Sequence, residues 1–252
     1  QQAAHFEEIR RFCPGVRFCR LGGDQPVPET SKLSAMAASD LAISLVDNTQ
    51  ETFGLSVAEA MAAGLPVVAS DWDGYRDLVR SGVDGFLISS QWSSFAQEIS
   101  SKLGWRTQLG LVSYPMAAGC LAQLVHLDLE AAVAAVVSIL KDPLIARAMG
   151  AAAQRRAQEL FNDEIVMEQY QQLFASLRQK RELAFSRKNE AFPLPIAFDP
   201  VRAFASYPSR SSQPRKISKE VEVPEVVKNA RSPLWAELQR HLPYEAWAKF
   251  KT

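Results

Sequence analysis

The chain is short of the residues that most often announce a function. Of 252 residues only three are cysteine and three histidine. Cys13, Cys19 and Cys120 form no Cys-x-x-Cys pair, and His5, His126 and His241 do not cluster with them. That pattern excludes a zinc motif and a disulfide framework and suits a reducing compartment. Charge of one sign is lacking too: 28 basic side chains balance 28 acidic ones, so nothing favours a polyanion such as nucleic acid. No apolar run is long enough to span a bilayer; the best stretch, 131–140, lies between Glu130 and Lys141 and is about half the required length. Neither a Gly-x-Ser-x-Gly elbow nor a Cys–His dyad is present, which leaves hydrolytic acyl transfer without support. The amino terminus, QQAAHFEEIRRF, has neither an initiator Met nor the plan of a signal peptide.

What is present is unevenly distributed. All 12 glycines fall at or before Gly150, whereas eight of the 14 prolines follow Glu190. Over 16–88, short apolar runs alternate with helix-patterned segments: VRFCRL, ETSKLSAMAAS, LAISLV, SVAEAMAA, LPVVAS, GYRDLVRS and GFLIS. Apolar runs without polar alternation read as strands buried on both faces, and their alternation with helices predicts an α/β fold with a doubly wound parallel sheet. Ligands of such sheets gather beyond the carboxyl ends of the strands, here after Leu21, Val46 and Ser70. Segment 91–119 has no clear period. From Asp128 the pattern turns helical, with Asp128 and Asn162 or Asp163 as caps and Pro143 in a first turn. The expected organisation is a Rossmann-like domain over 1–127, a helical extension over 128–186, and a Pro/Ser-rich tail over 187–252 with a short amphipathic helix around Trp235 and Trp247.

Residues 51–64, ETFGLSVAEAMAAG, follow a predicted strand and open a helix near Leu55. A helix amino terminus over the sheet edge offers free N–H groups and partial positive charge to a phosphate or diphosphate, and Gly54 permits close approach of the main chain. Glu59, one turn into the helix, can lean back toward that tip and accept hydrogen bonds from vicinal ribose hydroxyls. Glu51 can approach the same ligand from the loop. A purely structural reading competes: Ser56 and Glu59 have capping-box spacing, and Glu51 is then only a solvated loop charge. Nearby, Gly22, Gly23 and Asp24 read as a strand-end loop over a ligand-facing turn, Asp73 as the cap of the GYRDLVRS helix over a ligand contact by Asp71 or Asp73, and His126 as a packed core or helix-start residue.

The run ETFGLSVAEAMAAGLPVVASDWDGYRDLV, with SGVDGFLIS after it, resembles the carboxyl-terminal donor-binding domain of retaining glycosyltransferases of family 4, which have the GT-B architecture. Glu51, Phe53, Gly54, Leu55, Glu59, Ala60, Met61, Ala62, Gly64, Pro66, Val67 and Val68 match the family pattern in order and spacing. The resemblance implies that Glu51 lies near the transferred sugar, that Glu59 binds the ribose, and that the amides of Phe53, Gly54 and Leu55 face the sugar and diphosphate of a nucleoside-diphosphate sugar. It implies no metal and no other cofactor, because helix ends and basic side chains stabilise the departing diphosphate. The acceptor, whether glycan, lipid or small molecule, is left open. The family's amino-terminal acceptor domain and its diphosphate-binding Arg and Lys have no counterpart here; His5, Arg10 and Arg11 stand in the wrong context. The expectation is an amino-terminally truncated enzyme that alone binds donor weakly. Its expected location is the cytoplasm, with peripheral attachment at the inner membrane surface as a variant. A non-catalytic nucleotide-sugar-binding or protein-interaction module is the competing reading.

Overall fold

A computed structural model of the chain describes residues 10, 11, 13–22, 25–94, 96–184 and 199–209. Three short parallel strands form the central sheet: β1 (Ala42–Ser44), β2 (Val67–Ser70) and β3 (Gly85–Ile88), in the order β1-β2-β3, with Ala42 opposite Val67 and Val68 opposite Phe86. The chain enters β1 from helix α1 (Glu29–Ala37). It crosses from β1 to β2 through α2 (Leu55–Ala62) and from β2 to β3 through the single turn α3 (Tyr75–Leu78).

Every residue of β2 is buried, because helices cover both faces of the sheet. Val67 and Ala69 pack with Val57 and Met61 of α2 and with Ala153 and Ala157 of α7 (Pro143–Phe161). Val68 points the other way, with Ile88, onto Ala132, Ala135 and Ile139 of α6 (Leu129–Lys141). This two-sided burial is the physical reason for the unbroken apolar run PVVAS, and each fully buried valine contributes about 1.5–3 kcal/mol. The fold is thus α/β with a parallel sheet and helices on both faces, as expected.

The caps follow the sequence. Asp128 accepts from the Ala131 amide at 3.0 Å and Asn162 from the Glu164 amide at 2.9 Å, with Pro143 at the start of α7. Helix α8 (Asp163–Ala184) continues from α7.

Three expectations need correction, and one unassigned segment takes regular structure. VRFCRL forms no strand: 17–21 carries exposed Arg17 and Arg20, which solvent retains, whereas β1, β2 and β3 contain no charged residue. Segment 91–119, left unassigned for want of a period, has regular structure. Strand β4 (Ser90–Trp92) pairs antiparallel with β5 (Val125–Leu127), and α4 (Ala96–Gln108) and α5 (Tyr114–Ala122) lie between them. These helices have a separate core of Ile99, Leu103, Val112, Leu121 and Leu124. Their period was illegible because Ser100 and Gly104 occupy buried positions of α4. His126 is neither core nor helix start; it stands exposed on β5, opposite Gln91. Asp73 does not cap α3, since Gly74 holds that place without a side-chain bond.

Of the tail, only 199–209 is described, and it docks on the domain. Asp199 caps the short α9 (Pro200–Ala203) through the Arg202 amide and accepts from Ser100 Oγ at 2.5 Å. The segment around Trp235 and Trp247, together with His5, lies outside the described residues. Among the described residues no helix is long and apolar enough to cross a membrane.

Candidate functional site

The loop after β1 carries Glu51 and runs directly into α2. It is held from below by the loop after β2. Trp72, fully buried, donates its indole N–H to the Glu51 carbonyl at 3.2 Å, and the Gly74 amide donates to the Thr52 carbonyl at 3.1 Å. Gly74 is required there, because a Cβ would lie 2.1 Å from the Thr52 oxygen. Above it, Gly54 takes φ 90° as the cap of α2. A side chain at Gly54 would strike the Tyr75 ring, whose Cε1 would be 2.3 Å from a Cβ. The glycine predicted to give a ligand access therefore has a second cause: it makes room for a buried tyrosine.

Tyr75 is the keystone of this arrangement. Its hydroxyl lies 2.9 Å from Ser44 Oγ, at the carboxyl end of β1, and also engages Ser56 in the first turn of α2. Burial raises its pKa, and the neighbouring Glu51 charge adds to the rise. The Ser70 hydroxyl ties the same edge together, donating to the Val46 carbonyl at 2.7 Å and accepting from the Val46 amide at 3.0 Å. Asp47, just beyond, has its pKa raised by burial, against the opposing pull of its own amide.

Glu51 is half-buried, and its Oε1 accepts from the Gly54 amide at 2.9 Å, so the carboxylate sits at the amino-terminal end of α2. Phe53 and Leu55 are exposed, and the Phe53 ring meets Phe161 edge-on at 5.7 Å. At the helical tip Phe53, Leu55 and Ser56 are thus exposed, whereas Gly54 is buried against Tyr75. The capping box does not form: α2 begins at Leu55 with Gly54 as cap, so Ser56 is already inside the helix. Glu59 is engaged instead by Lys32 of α1 in a close ion pair. The amides of Leu55 and Ser56 have no protein acceptor among the described residues, which leaves the partial positive charge of the helix end available to an anion.

Several of these residues carried no signal in the sequence. Lys32 is 27 residues from Glu59, and Tyr75 and Arg76 were legible only as helix positions. Arg76 pairs with Asp71 and donates to the carbonyls of Ser206 at 2.9 Å and Tyr207 at 2.8 Å. The Asp73 amide, in a residue at φ 31°, also donates to the Tyr207 carbonyl at 2.9 Å. The Tyr207 ring meets Trp72 edge-on at 5.7 Å. Segment 199–209 thereby braces the loop after β2, which braces the loop bearing Glu51.

The parallel α/β sheet thus carries a helix amino terminus at its carboxyl edge, with Glu51 at its tip and Glu59 one turn further on. Residues 24–103 match the family described as "Glycosyl transferases group 1", which bears out the resemblance over β1, β2, β3 and the helices between them. The phosphatidyl-myo-inositol mannosyltransferase of Mycobacterium leprae (strain TN) is 42% identical over 83 residues, 32% of this chain and 21% of that relative. Its counterpart from Mycobacterium tuberculosis (strain CDC 1551 / Oshkosh) is 44% identical over 63 residues, 25% of this chain and 16% of the relative. The D-inositol 3-phosphate glycosyltransferase of Nocardia farcinica (strain IFM 10152) is 35% identical over 98 residues, 37% of this chain and 21% of the relative. The chain thus spans about a fifth of the length of the curated relatives it matches.

Proposed function

We propose that this chain carries the donor half-site of a glycosyltransferase that moves a sugar from a nucleoside diphosphate to an acceptor with retention of configuration. The observation that supports it best is the amino-terminal end of α2 with Glu51 held against the Gly54 amide. In this reading the Leu55 and Ser56 amides receive the diphosphate, and the helix end stabilises the charge that develops on it as the glycosidic bond breaks. Glu51 stands beside the transferred sugar, where its carboxylate positions the ring and stabilises positive charge at the anomeric carbon. Glu59 exchanges its contact with Lys32 for the ribose hydroxyls, and the freed ammonium remains beside the anionic ligand. The Phe53 amide continues the wall facing the sugar, whereas the Gly54 amide, also expected there, is taken by the Glu51 carboxylate. No metal is needed for this electrostatic work. Retention follows from same-face attack or from a covalent intermediate.

The acceptor site belongs to a second half that the reading places outside these 252 residues, and the location proposed for the whole is the cytoplasm, with peripheral attachment at the inner membrane surface as a variant. Calorimetric titration of the chain with ADP, GDP, UDP and their sugars tests the reading. At least one should bind, and Glu59→Ala should weaken that binding tenfold or more, since it removes charged hydrogen bonds worth about 1.5–3 kcal/mol. Absence of heat with every nucleotide, or an unchanged affinity in Glu59→Ala, would overturn it.

A further inference from the structure

Three hydroxyl groups stand in a row beneath the tip of α2, each from a different element. Ser44 lies at the carboxyl end of β1, Ser56 in the first turn of α2, and Tyr75 opens α3. The phenol joins the other two, at 2.9 Å from Ser44 Oγ and in a hydrogen bond with Ser56. Its ring is 1% exposed and fills the space under Gly54, so it cannot leave the row without unpacking the core. Ser56, by contrast, is exposed, and both serines border the cavity between α1 and α2.

Each hydroxyl brings one proton, the two contacts within the row use two, and one is left to donate outside it. That spare proton does not belong to Tyr75, because an unpaired donor in so enclosed a place is costly. The phenol therefore accepts from one serine and donates to the other. Burial and the Glu51 charge hold the phenol pKa up, so the row keeps all its protons at neutral pH. An anion over the helix end selects the order in which Ser44 donates to Tyr75 and Tyr75 to Ser56, for Ser56 then turns its own proton outward beside its free amide.

We propose that Tyr75 is a positioning residue of the donor site, its hydroxyl orienting Ser56 so that the amide and hydroxyl of that one residue meet the diphosphate together. This rests on the reading that the tip of α2 receives the diphosphate. Tyr75 touches no ligand itself. It holds an exposed side chain that would otherwise exchange among the staggered rotamers, and it ties the helix end to β1, so the donors are in place before the ligand arrives.

Calorimetric titration of the full chain with ADP, GDP and UDP tests it, with urea unfolding alongside. For each nucleotide that binds, Tyr75→Phe, which keeps the ring, should weaken affinity about tenfold, and Ser56→Ala should do the same. The two together should bind within about threefold of either alone, because they remove one arrangement. Ser56→Thr keeps the hydroxyl and should bind within about threefold of the unmodified chain. A purely structural hydroxyl would lower the urea midpoint of Tyr75→Phe and leave its affinity alone, a result that overturns the proposal while the donor reading stands. Losses that multiply in the double variant would do likewise. So would equal affinity in Ser56→Ala and Ser56→Thr, whether or not Tyr75→Phe folds. Binding of none of the nucleotides by the unmodified chain would overturn the donor reading, and this proposal with it.

Discussion

Replacing Gly54 by alanine tests the site with a single methyl group. Two costs are separable. An L-residue at φ 90° is strained by about 1–2 kcal/mol, and the added Cβ would lie 2.3 Å from Cε1 and 2.6 Å from Cδ1 of Tyr75, an overlap of the kind that costs about 1–3 kcal/mol in a packed interior. Tyr75 is 1% exposed, and its hydroxyl is held by Ser44, so the ring cannot swing away freely. Gly54→Ala should therefore destabilise the fold by about 2–5 kcal/mol, measured from urea midpoints at constant m. It should also weaken nucleotide binding, because the displaced loop no longer sets Glu51 against the Gly54 amide. In a Tyr75→Ala background, with the ring gone, the same substitution should cost only the backbone strain, about 1–2 kcal/mol, and a double-mutant cycle reads that difference. A Gly54→Ala penalty below about 0.5 kcal/mol, or equal penalties in the two backgrounds, would refute the account of how the loop is built.

Other expectations concern buried titratable groups. Cys120 is fully buried, and burial pushes its pKa up to about 11 from 9.0, so native protein should show slow labelling at Cys120 and fast labelling at exposed Cys13 and Cys19 with a thiol reagent at pH 8. Because the folded pKa is the higher one, this contribution is fully present below pH 9 and is lost as pH rises toward 11, a loss of about 2–3 kcal/mol; an alkaline unfolding series with Cys120→Ala as reference measures it. Asp84 is buried, and although burial alone would raise its pKa, hydrogen bonds from the Arg80 side chain and amide hold it below its usual range. That contribution is present above pH 3.8 and is lost as pH falls through the lower folded value; Asp84→Asn should cost about 1–3 kcal/mol at neutral pH by chemical denaturation.

By itself the sequence determined the two-faced burial of β2, the helix that opens at Leu55, and the caps at Asp128 and Asn162, because each depends on neighbours within one turn or one strand. It also carried the resemblance to the glycosyl transferases group 1 family, since the segment from Glu51 to Val68 matches in fixed spacing. Where local pattern misled, solvent kept Arg17 and Arg20 and with them VRFCRL outside the sheet, and strand alternation turned His126 outward between half-buried Val125 and Leu127. Tertiary structure alone decided what surrounds the carboxylates. Glu59 meets Lys32, the Glu51 loop rests on Trp72, Gly74 and Tyr75, and those rest in turn on Tyr207, 131 residues beyond Arg76. Contacts at such separations leave no period in the chain, for their geometry exists only once the sheet has brought the ends of its strands to one edge.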